Sequence, residues 1–185
     1  MKNNTYISED KAKRLQRLQD GSYVEAIETL LNSIDNFFNN EIKMTADNYQ
    51  TSLLFIGVHA VALTIAEAFF DQSGPQGYKH FLEMFIDGHE DDKKFSVIAD
   101  TIHDWRNVLA HQWLGSIGHE IAYDYDTELG WRREEGIVYI NPRIYRDQYL
   151  NAFKAEGRIW QYKNLFSEEE LENTKARIIS KYLKK

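Results

Sequence analysis

The sequence predicts a mainly α-helical protein, an antiparallel helical bundle with a small β-hairpin insertion. Three observations lead there. Proline occurs only twice in 185 residues, at Pro75 and Pro142, so long stretches are free to be helical. Apolar residues recur at three- and four-residue spacing along most of the chain. Only between Gly118 and Asn141 does the period shorten to two. The length suits one domain over residues 1–185, with the hairpin excursion at 118–141.

Ser8 caps a short charged helix from Glu9 to Gln19, stopped by Asp20-Gly21. Ser22 opens the next, with Glu25 in the capping-box position. Tyr23, Ile27, Leu30, Leu31, Ile34, Phe37 and Phe38 form its apolar stripe, and Asn39-Asn40 ends it. Thr45 or Asp47 opens a long third helix to about Asp71. Its run from Leu53 to Phe70 is interrupted by His59 and Glu67, which reads as a buried core helix and not as a membrane span. Gly74-Pro75-Gln76-Gly77 is a turn signal before a short helix from Tyr78 to Ile86. A polar loop from Asp87 to Lys94 leads to a strong helix from Phe95 to Leu114. Its core stripe is Phe95, Ile98, Ile102, Trp105, Leu109 and Trp113.

Ile121, Tyr123 and Tyr125 then alternate with polar residues, and Ile137 to Ile140 is a second β-like run, with Gly130 and Gly136 suited to turns. Asn141-Pro142 starts a helix with proline at its first position, and Gly157 is a weak point along it. Ser167 and Glu170 make a capping box for the last helix, Glu168 to Leu183.

Composition excludes several classes. Hydrophobic residues are 43% and charged residues 28%, as in an ordinary globular protein. Lys and Arg total 22 against 29 Asp and Glu, a net charge of −7, which argues against coating nucleic acid by bulk electrostatics. There is no cysteine, so disulfides, zinc thiolates, iron–sulfur clusters and thiol nucleophiles are excluded. Met1 to Asp20 is too polar for a signal peptide, so the expected location is the cytoplasm, with no membrane partner.

The chemistry concentrates on one helix. His103, Arg106, Asn107, Ala110, His111 and Leu114 share a face, where a solvated face would carry Lys and Glu. Arginine grips phosphate bidentately, histidine is acid and base near neutral pH, and asparagine orients a phosphate or a ribose hydroxyl. Together they suit phosphodiester cleavage without a metal or cofactor. One copy is short of one acid–base group unless His103 serves, and a two-fold dimer would supply it. Glu67 is an accessory candidate that could pair with Arg106. His59 reads as a hydrogen-bonded core histidine. His80, His89, Glu90 and His119 are a weak metal set, without i, i+4 pairing. Arg132-Arg133 reads as a solvated turn offset by Glu134-Glu135. Tyr123, Tyr125 and Tyr139 suit cross-strand packing or base stacking.

Arg106-Asn107-Val108-Leu109-Ala110-His111 resembles the R-x4-H motif of the HEPN superfamily, helical domains of toxin–antitoxin, phage-defence and RNA-processing systems. Arg106, Asn107 and His111 match that motif position by position. Trp113 stands where some toxin members carry tyrosine. The resemblance implies a metal-independent endoribonuclease, a hydrolase of RNA acting as a toxin or defence effector. It implies a homodimer joined through the Arg106/His111 helix face around a composite cleft, with an antitoxin or nucleotidyltransferase as a further partner. The alternative is a non-catalytic module of the same type that binds RNA, a nucleotide or a partner protein.

Overall fold

The computed structural model describes residues 13–87, 94–112, 121–128 and 130–183; of residues 111, 112, 182 and 183 it describes the backbone alone. The fold is mainly α with a small three-stranded sheet, as the periodicity predicts. A short helix α1 spans 13–20. Helix α2, Tyr23–Phe37, runs on through a wide turn at Phe38–Ile42. Helix α3 is Thr51–Phe70, and α4, Gly74–Phe81, also ends in a wide turn, Leu82–Ile86. A 3₁₀ turn, Phe95–Ile98, leads into α5, Ala99–Gln112. Strands β1 (Ile121–Tyr123), β2 (Trp131–Glu134) and β3 (Ile137–Ile140) follow. Helix α6 is Pro142–Phe153, α7 is Tyr162–Leu165 and α8 is Glu168–Ile178.

Helix α3 is the axis. Leu54, Phe55, Val58, Val61, Ala62, Ile65, Ala66, Ala68 and Phe69 bury most of its circumference, as expected for a helix apolar nearly all round. It is long and apolar enough to cross a membrane, yet here it packs against α4, α5, α6 and α8. Gly57 lets it approach the end of α2, because a Cβ there would stand 2.6 Å from Ile42 Cδ1. Across the axis, the hydroxyls of Tyr78, Tyr145 and Tyr149 close a buried triangle of 2.6, 3.2 and 3.5 Å. Each hydroxyl is satisfied by the others, so α4 and α6 are joined by polar contacts inside an apolar core.

Several local expectations are met. Asn141 caps α6, its side-chain oxygen accepting from the amides of Arg143 and Ile144. The Ser167–Glu170 capping box is formed in both directions. Gly157 lies in the break between α6 and the 3₁₀ turn Arg158–Gln161. Ser8 and Glu9 lie outside the described residues, as do Trp113, Leu114 and Gly118.

Other elements need correction. Ser22 stands at the N-cap of α2 without a side-chain cap bond, and the Glu25 carboxylate, the other half of the box, pairs with Arg17 at 2.7 Å. Asn39-Asn40 does not stop that helix, which continues to Ile42 with both Phe38 and Ile42 buried. The third helix begins at Thr51, not at Thr45 or Asp47. Asp47 is drawn to Arg146 at 2.7 Å and Arg143 at 3.3 Å, both on α6, so residues 43–49 coil as turns. Gly74 and Pro75 start α4 and do not form a separate turn. Proline is at home there, where its missing N–H costs nothing.

The insertion is a sheet of order β1-β3-β2, with β1 parallel and β2 antiparallel to β3. The expected pairing of the Ile121 and Ile137 runs is present, but in parallel. The hairpin is β2–β3, closed by Glu135 and Gly136 with φ of 49° and 84°, the two positive values of a tight hairpin turn. Strand β2 escapes a periodicity reading because its residues include Arg132 and Arg133. Arg132 lies over the Tyr139 ring at 4.0 Å and pairs with Asp124 and Glu134, so a charged residue does cross-strand packing.

Asn141 joins the sheet to α6 as well as capping it: its amide nitrogen donates to the carbonyls of Tyr125 and Thr127 at 3.0 and 2.9 Å. Asn141→Ala therefore removes a cap and leaves two part-buried carbonyls without this donor. The expected loss is about 2–3 kcal/mol in urea unfolding; a loss below about 0.5 kcal/mol would show that the junction is held elsewhere.

Candidate functional site

The site lies on the seam between α3 and α5. The core stripe of α5 is as expected, with Ile102, Trp105 and Leu109 buried against the bundle. The neighbouring stripe brings His103, Arg106 and Asn107 together at the edge of the core, each half-buried. Arg106 Nη1 donates to Asn107 Oδ1 at 3.1 Å. Among the described residues no carboxylate lies within ion-pair distance of Arg106, and its Nε is buried without a hydrogen-bond partner. A guanidinium in that setting keeps most of its donors for an anion.

His103 is tied inward. Its Nδ1 is 2.9 Å from Nε2 of His59 on α3. His59 is fully buried and stacks on Tyr78 of α4, with ring centroids 4.4 Å apart. Burial first, and then the electrostatic influence of His103 and Arg106, holds His59 down at about 3, so it is neutral near pH 7. Burial likewise lowers His103, although Asp104 and Asp100 pull the other way.

The tautomers follow from hydrogen-bond satisfaction. Nδ1 of His59 is buried and has no partner. A bare lone pair is cheaper to bury than an orphaned N–H. His59 therefore carries its proton on Nε2 and donates it to Nδ1 of His103. His103 in turn carries its proton on Nε2. It presents a neutral N–H, a hydrogen-bond donor and not a proton source.

The sequence reading of His59 as a hydrogen-bonded core histidine is what the fold contains. What it missed is the partner: His59 orients the accessory residue His103. The signal was present, since a histidine on the most apolar helix needs an internal polar contact. Glu67 is not part of the group. It lies two helical turns beyond His59, about 12 Å along α3, and meets Lys181 at 3.5 Å. Arg106 thus takes no carboxylate from α3. The backbone of His111 continues α5 past Arg106, while its side chain lies outside the described residues.

Of the weak metal set, His89, Glu90 and His119 lie outside the described residues. His80 stacks on Phe70 at 4.0 Å and contacts Gln72 at 2.9 Å. The tyrosines divide: Tyr139 underlies Arg132, Tyr123 accepts from Trp105 Nε1 at 3.1 Å, and the Tyr125 hydroxyl meets Thr51 Oγ1 at 2.7 Å.

Comparison of the chain with protein-family models, with curated proteins and with solved structures gives no match.

The buried His59 has a pH consequence. Its folded value lies below the ordinary unfolded value of about 6.5, so the unfolded chain binds more protons between the two. The stabilisation is complete above about pH 6.5 and is lost as the pH falls toward 3. Wild-type stability is expected to decline below about pH 6 with a component approaching about 1.4 kcal/mol per pH unit. His59→Phe should flatten that decline in denaturant titrations run between about pH 4.5 and 7. Equal slopes in both proteins would remove His59 as its origin.

Proposed function

We propose that the protein is a metal-independent endoribonuclease of HEPN type, working as a homodimer with a composite cleft formed by the Arg106/His111 face of α5. The observation that supports it most is the state of Arg106: half-buried, bonded to Asn107, without a carboxylate among the described residues, and beside a histidine locked in one tautomer. A structural arginine at the edge of a core is normally paired with an acid. This one is arranged like an anion site.

The roles follow from charge. Arg106 holds the scissile phosphate and stabilises the added negative charge of the phosphorane. Asn107 orients the phosphate or the ribose. His103, neutral and donating from Nε2, contributes a hydrogen bond. Its lowered proton affinity makes it a poor general acid at neutral pH. One chain then holds a single acid–base residue, His111, and two copies hold two. In the dimer one His111 takes the proton of the ribose 2′-hydroxyl. The 2′-oxygen attacks phosphorus, the bond to the 5′-oxygen breaks, and the second His111, as imidazolium, protonates that oxygen. The products are a 2′,3′-cyclic phosphate and a 5′-hydroxyl. The location that fits this reading is the cytoplasm, and an antitoxin or nucleotidyltransferase that masks the cleft fits a toxin or defence role.

Purified protein with total RNA in EDTA tests the proposal. Wild type is expected to cleave. Arg106→Ala and His111→Ala should each lower the rate at least about a hundredfold, with melting temperatures within a few degrees of wild type. Folded, dimeric wild type that leaves RNA intact would move the reading to a binding module. A chain that stays monomeric at micromolar concentration would remove the composite cleft.

A further inference from the structure

A second feature opens beside the cleft. Tyr49, Thr51, Ser52, Leu53, Tyr123 and Tyr125 line a groove of about 320 Å³, at the lower end of the range for small-ligand sites. Its aromatic wall is pre-formed. The rings of Tyr49 and Tyr125 stand 5.1 Å apart, tilted by 59°. The Tyr125 hydroxyl is held by Thr51 at 2.7 Å, and Arg143 lies over the same ring at 5.2 Å. The loop that carries Tyr49 is clamped to α6, because Asp47 pairs with Arg143 and Arg146, and Arg146 also donates to the carbonyl of Lys43.

Tyr49 is the unusual member. It is 71% exposed, and its φ is +57°, a left-handed backbone that a bulky side chain rarely adopts. Leu53 beside it is 46% exposed. The Tyr49 ring packs on Tyr125 and is otherwise largely exposed, where a glycine would satisfy the backbone better and a polar residue the solvent.

The groove also has a defined position relative to Arg106. Contacts run in opposite order along α3 and α5: His59 meets His103, while Trp105 bonds the Tyr123 hydroxyl and Ser52 lines the groove with Tyr123. Moving from the histidine pair toward the start of α3 passes Arg106 and then the groove. By helical rise, Arg106 and Ser52 are about 6 Å apart along the bundle. That axial offset matches the spacing of adjoining parts of one nucleotide chain.

We propose that this groove is a base-stacking subsite that takes an unpaired nucleobase of the RNA strand whose phosphate Arg106 holds. The inference rests on the ribonuclease reading and adds that the substrate is single-stranded where it binds. Tyrosine faces accept any base, and the hydroxyls of Ser52 and Tyr123 offer polar contacts to its edge. A surface with net negative charge gains from such contacts, because stacking supplies affinity that long-range attraction does not.

The test uses a fluorescein-labelled hexanucleotide of mixed sequence with 2′-O-methyl riboses, which has no free 2′-hydroxyl to react. Anisotropy is read for wild type, Tyr49→Ala, Tyr49→Gly and Arg106→Ala. Loss of one stacked base is expected to weaken binding about five- to a hundredfold in both Tyr49 variants. Tyr49→Gly should bind as poorly while melting at an equal or higher temperature, since glycine relieves the left-handed backbone. Arg106→Ala should also bind more weakly. If the Tyr49 variants bind like wild type while Arg106→Ala is weakened, the groove proposal is overturned and the phosphate site stands. If wild type does not bind the probe and does not cleave RNA, both readings are overturned. Cleavage of RNA without binding of the probe would overturn the groove alone.

Discussion

Helix α3 buries most of its apolar residues and leaves one stripe, Leu53, Ile56, Ala60, Leu63 and Glu67, partly exposed, and the other elements are arranged by the need to cover the rest. A twenty-residue helix with leucine, phenylalanine, valine and isoleucine around its circumference takes several neighbours to enclose, and α4, α5, α6 and α8 do so. A polar group on its buried face must then find its partner inside the bundle. His59 is such a group. Its hydrogen bond reaches His103, and its ring lies on Tyr78. The position of α5, and with it the direction of Arg106 and Asn107, is thus coupled to the need to satisfy one buried histidine.

The same coupling sets the chemistry available at the seam. A buried histidine with one bonded and one bare nitrogen stays neutral, and it imposes a single tautomer on its partner. His103 becomes an oriented donor. The sequence leaves His103 open as an accessory to His111 in proton transfer. Burial lowers the proton affinity of His103, because the cost of charging it rises with the apolar wall behind it. The requirement for a second copy of His111 in the proposed reaction follows from that lowered affinity.

A second polar framework holds the opposite end of α3. Asp47, Arg143 and Arg146 tie the loop before α3 to the first turns of α6, and Asn141 ties α6 to the carbonyls of Tyr125 and Thr127. These contacts are local in space and distant in sequence, Lys43 and Arg146 being 103 residues apart. They fix the tyrosines of the loop and the sheet against one another. An aromatic groove can be kept open there without contributing to the core.

Much of the fold was legible in the amino-acid order. Helical periodicity, the two proline positions and the Asn141 and Ser167 caps are local signals, because each depends on residues within one or two turns. The Arg106-Asn107 pair and the stripe shared with His103 are also local, since helical geometry alone puts them on one face. The failures have a common cause. Ser22 lost its capping partner to Arg17, the start of α3 moved because Asp47 is held by α6, and Glu67 turned to Lys181 at the far end of the bundle. In each case a charged side chain paired outside its own element. β1 and β3 are legible as strands, but their parallel pairing is set by the path of the chain around the bundle, which period-two alternation does not encode. Residue order was enough to say which segments are helical and which helix face carries the arginine and histidines. Which histidine is buried and which is oriented emerged only on packing, because burial and hydrogen-bond satisfaction are properties of the packed neighbours and not of the chain.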